Sequence, residues 1–163
     1  KNKMKNKNIL IVGVCGVGKT WVMKKLIEEL QCNAKEKTKL VRYNKNEEKG
    51  INIIGNYDGS MFEGSDKLAM NVSSSLDLFF EENENSNFNV FEGDRFSNGK
   101  FIQKFNPLVL KILGDGKEGR EKRGSNQTER HLKSITTRVR NIDADIEFLN
   151  SSLALDYIKN YIS

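Results

Sequence analysis

One run of eight residues restricts the fold more than anything else in the chain: Gly13-Val14-Cys15-Gly16-Val17-Gly18-Lys19-Thr20. It fits the pattern G-x-x-x-x-G-K-[S/T]. Before it stands Ile9-Leu10-Ile11-Val12, an apolar run of buried-strand length, and after it Trp21 to Leu30 has helical periodicity. Strand, glycine-rich loop and helix in that order curl the loop's N–H groups inward. The positive end of the helix points at the same spot. Such a loop is built to cradle a polyphosphate. Gly13, Val14, Cys15, Gly16, Val17 and Gly18 supply backbone, Lys19 reaches the β- and γ-phosphates, and the Thr20 hydroxyl is placed to hold Mg²⁺. A nucleoside triphosphate is the expected ligand.

The rest of the chain alternates strands with helices. Helix Lys19–Leu30 carries Val22, Leu26, Ile27 and Leu30 on one face, with Lys24, Lys25, Glu28 and Glu29 outside. Gln31 to Thr38 reads as a connection. Lys39–Tyr43 and Ile51–Gly55 read as short strands, joined by the polar turn Asn44–Gly50 as a hairpin or an irregular sheet edge. A helix is predicted from Asp66, after a Ser65 cap, to Glu82, with Leu68, Val72, Leu76, Phe79 and Phe80 inward. Phe88–Glu92 and Leu108–Leu113 are buried strands around a helix from Ser97 to Asn106. Gly114 to Gly124 is a charged, glycine-rich loop. A helix from Thr128 to Arg140 follows, with Asn126 and Glu129 as a capping box. Asp145–Leu149 and Ser151–Ile162 close the chain as strand and helix. The expected fold is one α/β domain over residues 1–163, with a mostly parallel sheet flanked by helices and the phosphate loop at the carboxyl end of its first strand. Residues 1–8 form a basic tail, and about 114–140 form a lid and its following helix.

Composition excludes several classes. No apolar run approaches membrane-span length, and Lys1 to Lys7 precede only four apolar residues, too few for a signal peptide. Cys15 and Cys32 are the only cysteines, which leaves no disulfide framework or zinc spacing and points to the cytoplasm. A net charge of +5 suits a polyanionic partner as well as a solvated basic surface. A guanine-reading N-K-x-D is wanting: Asn44-Lys45-Asn46-Glu47 ends in Glu and lies early in the chain. A motor-type ATPase needs a larger domain and paired acids after a buried run.

What remains fits a small kinase with a nucleotide-kinase-like P-loop fold. Phosphoryl transfer needs positioning and charge neutralisation more than covalent chemistry. Glu92-Gly93-Asp94-Arg95 follows a buried strand. It resembles the D-G-F-P-R and D-R-Y segments of nucleoside monophosphate and thymidylate kinases. That resemblance implies Glu92 or Asp94 at the metal and Arg95 on the acceptor. Asp58 or Asp66 is the candidate base for an acceptor hydroxyl. Arg120, Arg123 and Arg130 are candidate lid arginines, since guanidinium forks clamp developing phosphoryl charge. Gln127, Glu129 and Lys133 would support them, and His131 is read as a lid or surface residue.

Several segments together resemble a narrower group: Gly55-Asn56-Tyr57-Asp58-Gly59-Ser60, Phe62, Gly64-Ser65-Asp66-Lys67-Leu68-Ala69-Met70, Glu92-Gly93-Asp94-Arg95-Phe96, Gln127-Thr128-Glu129, Leu132-Lys133 and Thr137. They look like those of phage-type P-loop kinases, in particular the 5-hydroxymethyluracil DNA kinases of viral thymine hypermodification. The similarity runs from the first strand to about residue 142. It implies an ATP·Mg²⁺-dependent kinase whose acceptor is a base hydroxymethyl group in duplex DNA, with Arg95 and Lys67 on the acceptor side. A deoxynucleoside monophosphate kinase and a low-turnover nucleotide-binding module are the alternatives.

Overall fold

The computed structural model describes residues 6–57, 73–123 and 128–163. Strand β1 (Asn8–Val12) lies between β5 (Phe88–Glu92) and β6 (Leu108–Ile112), parallel to both. Outside β5 run β4 (Ile51–Ile54), β3 (Val41–Asn46) and β2 (Ala34–Thr38), and outside β6 runs β7 (Ile146–Phe148). The full order is β2-β3-β4-β5-β1-β6-β7. The five strands from β4 to β7 are parallel, and β2-β3-β4 is an antiparallel meander on one edge. The fold is therefore α/β with a mostly parallel sheet.

The chain leaves β1 for β4 on one side, then crosses back over β1 between β5 and β6. Right-handed crossovers in opposite directions put their helices on opposite faces. The two cores show this division. On one face α1 (Lys19–Glu29) and α6 (Ser151–Ile162) cover Ile9, Ile11, Ile53, Val90 and Leu110. On the other, α2 (Ser73–Glu82) and α3 (Gly99–Phe105) cover Leu10, Val12, Ile54, Phe91 and Val109. Odd and even residues of β1 thus serve different cores, as a pleated strand requires.

The second core is aromatic. The Phe91 ring lies 5.1 Å from Phe96, 5.0 Å from Phe101 and 5.9 Å from Phe80, centroid to centroid. Phe79 stands edge-on to Tyr43 at 4.9 Å. At the amino end of the sheet a polar layer replaces carbon. Asn52 Nδ2 donates to Asn89 Oδ1 (2.9 Å), and Asn89 Nδ2 to Asn8 Oδ1 (3.0 Å). The three residues are register partners on adjacent strands, so a one-residue slip would break both bonds.

Four expectations need correction. Residues 34–38 are not a connection but the edge strand β2; Ala-Lys-Glu-Lys-Thr shows no apolar alternation because four of its five residues are exposed. Asn44–Asn46 belong to β3 rather than to the turn, because Asn44 and Asn46 side chains bond the Cys32 and Leu30 carbonyls at the end of α1. Lys117–Arg123, expected as loop, forms the short helix α4. Helix α5 (Glu129–Arg140) is capped by Thr128, whose hydroxyl accepts from the His131 N–H. Asn126 lies outside the described residues, as do 66–72 of the predicted second helix.

Phe91→Ala should lower stability by about 3–5 kcal/mol, the usual cost of emptying a buried aromatic site. Urea denaturation measures it, and a loss under about 1 kcal/mol would mean the ring cluster collapses freely around the gap.

Candidate functional site

Val12 is fully buried, and the chain turns out of the sheet directly after it into Gly13–Thr20. Helix α1 then starts at Lys19, behind Gly18 in a left-handed conformation (φ 104°). Lys19 folds back across the loop. Its Nζ donates to the Gly13 carbonyl and to the Val14 carbonyl (3.1 Å). These bonds use two of the three donors of the ammonium and fix its position over the loop.

The neighbouring strand supplies a carboxylate. Glu92 ends β5, pairs in register with Ile11, and is buried. Its Oε1 accepts from the Tyr57 hydroxyl at 2.9 Å. Tyr57 itself packs against the first core. Asp94 and Arg95 follow in a turn closed by Phe96 N–H and Ser97 N–H, both donating to the Gly93 carbonyl (3.1 and 3.0 Å). Phe96 is fully buried, so the aromatic core pins this turn beside the loop. A hydroxyl at Thr20 and a carboxylate at Glu92 are hard oxygen donors that fit Mg²⁺, which takes most of its ligands from phosphates and water. Among the described residues no group of three or more His, Cys, Asp or Glu side chains gathers, and a phosphate-held Mg²⁺ needs none.

On the opposite side α4 is docked on the loop backbone to backbone. Gly16 has φ 97°, and a Cβ there would strike the Gly116 carbonyl. A Cβ on Gly119 would strike the Gly16 carbonyl in turn. Only glycine at these positions lets the two backbones approach so closely. The contact carries Arg120 in with it. Its Nη1 donates to the Cys15 carbonyl (2.8 Å) and the Asp115 carbonyl (2.6 Å). Helix α5 rests on the loop through Ile135 and Val139, which pack on Val14 and Val17. Lys111, buried in β6, donates to the Ile142 carbonyl (2.6 Å) and fixes the end of that helix.

Lys19, Thr20, Glu92 and Arg120 are thus brought to one end of the sheet, with Asp94 and Arg95 in the turn next to them. Arg130 is exposed in the first turn of α5 and touches none of these residues through a described hydrogen bond or ion pair. The Arg123 side chain lies outside the described residues, as do Asp58, Asp66, Lys67 and Gln127.

Two exposed apolar side chains are not flagged by periodicity. Trp21 is 40% exposed and Leu149 78%. Ser151 abuts Gly18, and Leu113 N–H donates to the Phe148 carbonyl (2.8 Å), so the ends of β6 and β7 meet the start of α1. Periodicity places Trp21 on a helix but says nothing of its exposure. Compared with protein-family models, curated proteins and solved structures, the chain matches none of them.

The two thiols should behave differently. Burial pushes the Cys32 thiol up to about 11, whereas Cys15 is half-buried in the loop. Thiolate is the reactive form. Iodoacetamide at pH 8 should therefore label Cys15 and spare Cys32 until the chain is unfolded, and Mg·ATP should slow the Cys15 reaction at least tenfold. Equal rates at Cys15 with and without Mg·ATP would mean that nothing sits in the loop.

Proposed function

We propose that the chain is a P-loop kinase of the nucleotide-kinase-like class, with an arginine-bearing lid, that transfers the γ-phosphoryl group of ATP to the hydroxymethyl group of 5-hydroxymethyluracil in DNA. The observation that carries the kinase part is that Lys19 and Arg120 both bond the backbone of one loop at the carboxyl end of a parallel sheet, with Glu92 ending the neighbouring strand; that end is where open α/β sheets bind ligands. The DNA acceptor rests on the sequence resemblance and on the basic charge balance.

In this reading the loop N–H groups and Lys19 hold the β- and γ-phosphates. The adenine lies against the exposed Trp21 ring at the start of α1, an apolar surface suited to a flat base. Magnesium would be held by Thr20 and Glu92 or Asp94 and would neutralise charge on the transferring group. Tyr57 orients the Glu92 carboxylate through its hydrogen bond. The acceptor hydroxyl oxygen forms the new P–O bond as the bond from the γ-phosphorus to the bridging oxygen breaks and ADP leaves. The hydroxyl proton goes to Asp58 or Asp66. Arg120 lies one hydrogen bond from the loop, so a small shift off the Cys15 carbonyl brings its fork to the γ-phosphate, where Arg123 and Arg130 join it. Arg95 and Lys67 hold the acceptor side. The acceptor base leaves the DNA stack to reach the site.

Transfer of labelled γ-phosphate tests this directly. Duplex DNA containing 5-hydroxymethyluracil should take up label, while matched thymine duplex and free deoxynucleoside monophosphates should not. Glu92→Gln and Arg120→Ala should each lower kcat at least 100-fold, about 2.7 kcal/mol of transition-state stabilisation. Label on free monophosphates alone would show a nucleotide-pool enzyme and overturn the DNA acceptor.

A further inference from the structure

The antiparallel edge of the sheet has no part in the chemistry above, yet its tip stands at the same end. Because β3 runs against β4, the β2–β3 turn projects past the carboxyl end of β4. Tyr43 pairs with Ile54, and Gly55 N–H donates to the Arg42 carbonyl at 2.8 Å, so Val41, Leu40 and Lys39 lie beyond the last residue of β4. The loops after β1 and β5, with Lys19 and Glu92, leave the sheet at that end too.

The tip is basic. Lys37, Lys39 and Arg42 are exposed, with Lys35 behind them. Lys37 and Arg42 are direct cross-strand partners and so share one face. Like charges directly opposite destabilise a strand pair, unless an anion lies over them. Among the described residues none of the three forms an ion pair with an acidic side chain, and the nearby Glu82 carboxylate accepts from the Thr38 hydroxyl at 2.8 Å. Lysines on an edge strand also guard against edge-to-edge pairing. That role calls for charge along the strand. It does not call for an opposed pair plus a third cation in the turn.

The spacing suits a nucleic acid. Strands lie about 4.8 Å apart, so β3 and β2 are roughly 14 and 19 Å from β1 across the sheet. One turn of duplex is about 34 Å long, so a base seated at the phosphate loop leaves backbone phosphates of the same turn within reach of the tip.

We propose that Lys37, Lys39 and Arg42 form a phosphate-backbone contact for duplex DNA, which holds the substrate while its target base occupies the site at β1. This deepens the DNA-kinase reading and rests on it for the identity of the substrate. The contact reads no sequence; it positions the duplex.

The test is a triple variant: Lys37→Gln, Lys39→Asn and Arg42→Gln. Asparagine is chosen at 39 because the residue there has φ 53°, which Asn tolerates. Binding of a fluorescent 30-base-pair duplex is followed by anisotropy from 50 to 200 mM salt, beside kinase assays on the same duplex carrying 5-hydroxymethyluracil. The variant should bind at least tenfold more weakly, and its slope of log K against log salt should be shallower by about 2.7, three phosphates at about 0.9 each. The KM for duplex should rise at least tenfold with kcat within twofold, and Mg·ATP affinity should not change. Lys39→Asn alone, confined to the turn, should remove about a third of the slope change and guards against misfolding of the triple variant. Unchanged duplex affinity and slope would overturn the contact, whether or not the variant aggregates, and would leave the kinase reading standing. A wild-type chain that binds duplex through these residues but transfers no phosphate would uphold the contact and overturn the kinase. A wild-type chain that binds no duplex overturns the contact and the DNA acceptor together.

Discussion

The burial of β1 between two parallel neighbours sets every later feature of the site. Ile9 to Val12 have no exposed surface, and each side of the strand serves a different core. Moving β1 by one residue would exchange those cores, so its end is fixed to within a fraction of a residue. The loop Gly13–Thr20 starts at that end, and its geometry is therefore inherited from the sheet. Glu92 reaches the same level for the same reason, through its register with Ile11. The asparagine layer at the other end holds the register of β4, β5 and β1 against slippage, so the two ends of the sheet cooperate.

The loop's surroundings combine two kinds of contact. Backbone meets backbone where Gly16 faces Gly116 and Gly119, and apolar side chains meet where Ile135 and Val139 cover Val14 and Val17. The first contact tolerates no added atom, and the second is ordinary hydrophobic packing. Together they make the segment after β6 a wall of the loop. Arg120 is held by carbonyls rather than by carboxylates. Neutral carbonyls give up a guanidinium more readily than an ion pair would. The Asp94–Arg95 turn is anchored differently, by Phe96 in the aromatic core.

Much of this was legible from the residues. Glycine spacing, an apolar run before it and helical periodicity after it fixed β1, the loop and α1 to within a residue or two. Phe88–Glu92 and Ser151–Ile162 were equally plain, because each has a clean apolar pattern bounded by polar turns. The edge strand β2 was hidden because an exposed strand of alternating lysine and glutamate looks like a linker. Helix α4 was hidden because Lys-Glu-Gly-Arg-Glu-Lys-Arg has no apolar face; its position comes from glycine contacts with a loop a hundred residues earlier. The exposure of Trp21 and Leu149, and the placing of three cations at the carboxyl end of the parallel strands, depend on strand order. Local patterns do not encode strand order.

Everything proposed for the chain requires that Gly13–Thr20 bind a nucleoside triphosphate with Lys19 as its cationic clamp. Isothermal titration of the full chain with Mg·ATP tests it most directly, with Lys19→Ala as the comparison. One site per chain is expected, with an affinity at least tenfold weaker in Lys19→Ala, a difference of about 1.4 kcal/mol or more. No binding to the wild-type chain, or equal binding to both, would contradict it.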